Sequence, residues 1–287
     1  MITLLRLEWA KLYRRFTPHL VYALAGLLVL LVLLMLREHG APQAHAGRHN
    51  FELVGDPRNG LLACQTAVST IAVLLWYLAP VVCGEILGLE GATGTLRTVL
   101  TRPRTRSAVW LAKFLTAAGY VVSLCAFVGL LSLAGGAALF GWGPLNSMHA
   151  LTGGKLIVLA PGEALRYLAY AYALLALTVF VGGSLAFALG SWFDNALAPG
   201  FTALGILVTL QIMGELPLRW MEKVKPYLFT NHLLAYQKVF PTAFDPETGA
   251  LHFPGEVVWP AVRLLAVYVV VFAVLGWWRF ARKDVTC

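Results

Sequence analysis

The sequence predicts an all-α integral membrane protein. It should have six transmembrane helices, an N-terminal amphipathic interfacial helix and a short amphipathic helix on the cytoplasmic face. Three observations predict this. First, the 287 residues are 59% hydrophobic and only 13% charged, with a mean hydropathy of +0.73. A soluble domain is about half apolar and a quarter charged, so there are too few polar residues here to cover a soluble core. Second, apolar runs recur at the roughly 20-residue length that spans a bilayer. Third, Lys and Arg gather in short segments at the ends of alternate runs. Disorder, a disulfide scaffold and an ordinary soluble enzyme are excluded on the same grounds.

In chain order, residues 1–16 read MITLLRLEWAKLYRRF. Leu5, Trp9, Leu12 and Phe16 recur at helical spacing, and Glu8, Lys11 and Arg15 follow a second stripe. Such a helix lies in the membrane interface, with Trp9 as an anchor and Lys11, Arg14 and Arg15 toward lipid head groups. The spans are expected at about 18–36, 61–88, 109–140, 165–190, 196–214 and 257–280. The first is too long for a signal-peptide core, so it is read as an uncleaved helix. Pro80 is expected to kink the second. Glycines such as Gly119, Gly129, Gly135 and Gly136 permit close contact by the third. Trp277 and Trp278 mark an interface in the sixth. No linker divides the chain, so residues 1–287 form a single transmembrane domain.

An even number of spans puts both termini on one side. That side carries twelve of the 22 basic residues, all in short segments: residues 6–15, 97–113 and 279–283. It is therefore the cytoplasmic side. Three outer segments follow, at about 37–60, 141–164 and 214–256. In the last, Leu218 to Phe240 is amphipathic and expected as one or two short helices on the outer surface. Phe244 to Gly249 reads as a turn.

The net charge of +8 fits the positive-inside bias and anionic lipid. No arginine-rich tract with interleaved aromatics suggests nucleic acid. Cys64, Cys83, Cys125 and Cys287 form no CxxC pair and read as small buried hydrophobes. His39, His45 and His49 are too loosely spaced to specify a metal site. There is no GxxxxGK[ST] phosphate loop, no HExxH and no GxSxG. The spans carry almost no charge, with Glu85 and Asp194 at cytoplasmic ends and Glu163 and Arg166 at an outer edge. A chain with neither a nucleotide site nor an intramembrane proton relay that transports must draw energy from a partner. A self-contained carrier or channel is the alternative, with Ser123, Thr178, Ser184 and Gln211 as candidate pore-facing groups. A membrane enzyme would need Glu163, His232 or Asp245, which nothing groups together.

The most informative segment is the cytoplasmic loop 89–108. Thr93 is a candidate cap for a short helix bearing Leu96, Val99 and Leu100 on one side. Pro103 stops that helix and extends Arg102. A new helix begins near Ser107 and carries Lys113 into the membrane. From residue types alone, the arginines either set topology and meet lipid heads or dock a cytoplasmic partner.

The run Glu90-Gly91-x-x-Gly94-Thr95-Leu96-Arg97, then Leu100-Thr101-Arg102-Pro103, Arg106 and Lys113 resembles the signature of ABC transporter permeases of the type-2 exporter family. The likeness extends to the basic N-terminal helix, the six spans, the large loop before the sixth, and the ending Phe280-Ala281-Arg282-Lys283-Asp284. It implies a non-catalytic subunit of a multi-pass bacterial-type cell membrane protein. Two permease copies, identical or related, would pair with two cytoplasmic ATP-binding subunits. This chain would hold no cofactor, with ATP and Mg in the partner ATPase. Glu90, Gly94, Thr95, Leu96, Arg97, Leu100 and Arg102 would form the coupling helix that docks on the ATPase. The substrate would be hydrophobic or amphipathic.

Overall fold

A computed structural model describes residues 2–39, 59–94, 105–143, 145–146, 158–216, 219–240 and 254–283. Its order is α1 (Ile2–Tyr13), α2 (Phe16–His39), α3 (Gly60–Ala92), α4 (Arg106–Phe140), β1 (Leu145–Asn146), β2 (Val158–Leu159), α5 (Pro161–Leu189), α6 (Ala198–Glu215), α7 (Arg219–Val224), 3-10 stretches at Lys225–Tyr227 and Phe229–Val239, and α8 (Gly255–Ala281). The strands are two residues each and pair antiparallel, Leu145 opposite Leu159. The fold is all-α, and six of its helices, α2 to α6 and α8, are long and apolar enough to cross a membrane.

These helices match the expected spans to within a few residues at each end. The largest extensions are at the end of α3, which runs to Ala92 rather than 88, and at the start of α5, at Pro161 rather than 165. α3 continues as one helix through Pro80. It is the central helix, its residues buried along nearly the whole length from Leu61 to Glu90. α2, α4, α5 and α6 surround it. One stripe of α3, with Thr70 and Val73 exposed and Thr66 and Tyr77 half-buried, stays open, while its other faces are covered by neighbouring helices.

Close approach depends on small residues. A Cβ at Gly200 in α6 would stand 2.6 Å from the Cα of Val81 in α3, and one at Gly84 in α3 would stand 2.8 Å from the Gly200 nitrogen. The two backbones therefore touch where these glycines meet. This is the small-residue packing that membrane helices use when no hydrophobic force drives them together.

The amphipathic stretch before the sixth span forms α7 and the 3-10 stretches, and one face of it packs into the bundle. Phe229, Leu233, Ala235, Tyr236 and Val239 are buried, and Tyr236 meets the Trp76 ring edge-on at 6.1 Å. Its aromatic side chains fill the space between α3, α5 and α8 at the end of the bundle away from α1, where their apolar area is removed from water. The turn at Phe244 to Gly249 and the histidines His45 and His49 lie outside the described residues. Among the described residues no group of His, Cys, Asp and Glu could hold a metal ion.

Gly200→Ala should force α3 and α6 apart, because Val81 presents backbone rather than a flexible side-chain end. Overpacking of this kind costs about 1–3 kcal/mol. A lowered melting temperature of the purified protein in detergent checks it, with Gly205→Ala, whose Cβ meets nothing within 4 Å, as the unaffected control.

Candidate functional site: an ionic ring beside the loop 95–104

α1 does not float free of the bundle. Glu8 and Leu12 are its buried residues, and the Trp9 ring stacks on Tyr13 with centroids 5.3 Å apart. A Cβ at Gly119 in α4 would come within 2.5 Å of the Trp9 ring, so the indole fits only because residue 119 has no side chain. The apolar stripe read from the sequence ends early: Phe16 is 76% exposed and already belongs to α2.

Glu8 faces inward with Leu12, toward two residues of the bundle. Lys113 in the second turn of α4 donates to Glu8 Oε2 at 2.6 Å and pairs with Glu90 Oε1 at 2.7 Å. Lys11 donates to Glu8 Oε1 at 2.9 Å and to Glu90 Oε1 at 3.0 Å. The four groups form a closed ring of alternating charge that joins α1, α3 and α4. Lys113 is fully buried, and the Glu8 and Glu90 side chains are 6% and 5% exposed. Lys11 closes the ring at the surface.

Burying these charges is costly, and only the complete set offsets it. Two lysines and two glutamates sum to zero, and each lysine touches both carboxylates. Burial pulls the Lys11 pKa down, but its hydrogen bonds and attraction to Glu8 and Glu90 prevail and leave it above the ordinary lysine value. A folded-state pKa raised in this way favours folding below 10.5 and is lost only as pH rises through the higher folded value. The Lys11 arm therefore stays charged at any physiological pH.

A second tie lies beside the ring. Arg15 donates to the backbone carbonyl of Glu85 at 3.2 Å and its guanidinium lies 3.8 Å from the Glu85 carboxylate. One carboxylate oxygen on each of Glu85 and Glu90 has no hydrogen-bond partner among the described residues.

The ring stands at the mouth of the loop that the sequence singled out. α3 ends at Thr93, whose hydroxyl donates to Leu89 O at 2.8 Å and whose N–H donates to the same carbonyl at 2.9 Å. Gly94 follows with φ +68, a left-handed terminator that favours glycine. Thr93, read as the start of a short helix, is here the end of α3. Thr95, Leu96, Arg97, Leu100 and Arg102 lie outside the described residues. Thr105 then caps α4 by accepting from the Ala108 N–H at 3.3 Å. Arg106 donates to the carbonyls of Ala281 at 3.2 Å and Lys283 at 2.9 Å. Lys283 in turn reaches Asp194 at 2.5 Å. Both ends of the loop are thus tied down, one by the ring and the other by the end of α8. α1, the loop ends, the α5–α6 turn and the end of α8 all share one end of the bundle.

The predicted residues fall into distinct groups. Glu90 is buried with its carboxylate turned onto Lys113 and Lys11, so its contacts are internal. Gly94 is exposed. Trp9, Lys11 and Arg15 contact the bundle, while Arg14 is exposed. The residue pairing missed from sequence is Glu8 with Lys113. One signal was present: Leu5, Glu8 and Leu12 share one face at i, i+3 and i+7, which sets a carboxylate among apolar neighbours. The candidate pore groups are engaged elsewhere. Ser123 meets the Tyr13 and Tyr22 hydroxyls at 3.1 and 2.7 Å. Thr178 accepts from Trp76 at 3.2 Å, Ser184 donates to Val181 O at 2.8 Å, and Gln211 accepts from Tyr77 at 2.7 Å. His232 contacts Pro226 O at 2.9 Å.

Fold and site together define a multi-pass α-helical membrane protein whose N-terminal helix is ion-paired to its core. Residues 26–286 match a family model described as a protein of unknown function, DUF2705, and the chain belongs to that family. No curated protein matches it.

Lys113→Met should leave Glu8 and Glu90 buried with Lys11 as their only common cation. Removing one partner of a buried ion pair costs about 3–5 kcal/mol, so this variant should melt far below wild type in detergent. Arg14→Gln should melt as wild type does.

Proposed function

We propose that this chain is the membrane-spanning subunit of an ATP-driven exporter of the ABC type-2 class. In this reading it moves a hydrophobic or amphipathic substrate out of the cytoplasm or inner leaflet, using ATP hydrolysed by a separate cytoplasmic subunit. The observation that carries the reading is the ionic ring at the entrance to loop 95–104. A loop that receives force from a partner must pass it to the spans. The ring joins the helix before the loop, the helix after it and the N-terminal helix, so a push on the loop is shared among three elements. The loop's Gly-Thr-Leu-Arg and Arg-Pro sequence, with its resemblance to coupling helices of that class, adds to the support.

Roles follow for the named residues. Leu96 and Leu100 would seat in an apolar groove of the ATPase, with Arg97 and Arg102 steering the approach. Glu90, Lys113, Glu8 and Lys11 would hold the frame against which the loop is moved. Trp9, Arg14 and Arg15 would place α1 in the cytoplasmic interface. Two copies of this chain, or this chain and a related permease, would enclose the path. ATP binding would favour one of two arrangements, in the manner of any two-state coupling.

The test is a gentle-detergent pull-down of the tagged protein from its native membrane, followed by mass spectrometry. A near-stoichiometric ATP-binding protein is expected with wild type, and its loss by about tenfold or more with Arg97→Glu, while membrane insertion is unchanged. An intact oligomer that never retains an ATP-binding protein contradicts the exporter reading and favours a self-contained carrier.

A further inference from the structure

At the opposite end of the bundle from the ring, a cleft of about 800 Å³ lies between α5 and α8 and is also lined by Val239 of the 3-10 stretch. This volume falls within the range of small-molecule sites, roughly 300–1,000 Å³. Its walls are sorted by chemistry. The floor is aliphatic, with Leu174, Leu177, Val258 and Val262. The mouth carries Glu163 and Arg166, with Tyr167, Tyr170 and Trp259 around them.

The ion pair at the mouth is loose. Arg166 stands 3.8 Å from Glu163, and the two side chains are 69% and 45% exposed. A guanidinium has five N–H donors and a carboxylate can accept at both oxygens. One long contact leaves most of that capacity for a ligand. The two charges also restrict what can enter. An anionic head group gains from Arg166 and is repelled by Glu163, and a cationic one meets the reverse. A head group that carries a phosphate and an ammonium side by side satisfies both, the phosphate on Arg166 and the ammonium on Glu163. Tyr and Trp rings at this depth suit the boundary between head group and acyl chain, and a ring face also attracts an ammonium.

We propose that the cleft between α5 and α8 binds a zwitterionic amphipath of the phosphatidylethanolamine class. Its head group spans Glu163 and Arg166, and one acyl chain lies along Leu174, Leu177 and Val262. The site is separate from the cytoplasmic loop and needs no nucleotide-binding partner, so it stands or falls independently of the exporter reading.

The test uses the purified full-length chain in detergent, given equal amounts of phosphatidylethanolamine and phosphatidylglycerol, with retained lipid read by native mass spectrometry. One phosphatidylethanolamine per chain should be retained in clear preference to phosphatidylglycerol. Arg166→Gln should reduce that retention about tenfold. Glu163→Gln should shift the preference toward phosphatidylglycerol. Ala173→Trp, at an exposed position that lines the cleft, should block retention without lowering the melting temperature. Equal retention of both lipids by the wild type, or retention unchanged by both Ala173→Trp and Arg166→Gln, would overturn the proposal and leave only ordinary surrounding lipid.

Discussion

The arrangement of the end of the bundle that holds α1 depends on one fully buried ammonium. Lys113 has no exposure, and a lone lysine there would be severely destabilising. Glu8 and Glu90 make it tolerable, and Lys11 makes the two carboxylates tolerable in turn. Because the four residues come from three helices, satisfying their charge fixes three positions together. α1 cannot lift away without stripping Lys113 of one carboxylate. α3 cannot slide along α4 without stripping it of the other. An apolar contact of similar area would permit gradual sliding, whereas a closed ring is either made or broken. That property suits a junction that must transmit movement without absorbing it.

The neighbouring contacts extend this frame. Trp9 is held in the space left by Gly119, Arg15 reaches the Glu85 carbonyl, and the Tyr13, Tyr22 and Ser123 hydroxyls join α1, α2 and α4. On the far side of the loop, Arg106 and Lys283 secure the start of α4 to the end of α8. The loop that resembles a coupling helix therefore springs from two fixed posts. The rest of the molecule is held differently. α3 and α6 meet backbone to backbone at Gly84 and Gly200, and the end away from α1 is filled by Phe229 and Tyr236.

The six spans were legible because a bilayer imposes a simple rule on composition: about 20 apolar residues and few charges. Their ends were less so. The apolar run sets the expected end of α3 near 88, with Glu90 in the loop that follows. Burial among two lysines lets the helix carry that carboxylate inside and end at Thr93. Sequence spacing put Glu8, Lys11 and Arg15 on a polar stripe, which is correct for Lys11 and Arg15 as surface-linked groups. It did not reveal that Glu8 turns inward, since its partner lies 105 residues away and no local pattern records a long-range pair. The packing of the amphipathic segment before α8 is hidden for a related reason. Aromatic and polar residues mixed at that density suit a surface helix and a plug equally well, and only the gap between α3, α5 and α8 decides between them.

The central claim is that the ionic ring makes α1 and the end of α3, where the loop begins, one body. It is tested most directly by a distance distribution between nitroxide labels at Leu7→Cys and Ala92→Cys, both exposed positions, in a Cys287→Ser background where the other three thiols are buried. Pulsed electron resonance should give a single narrow distribution, which broadens or splits when Glu8→Gln is added. A broad distribution at the outset, or one that Glu8→Gln leaves unchanged, would contradict the claim.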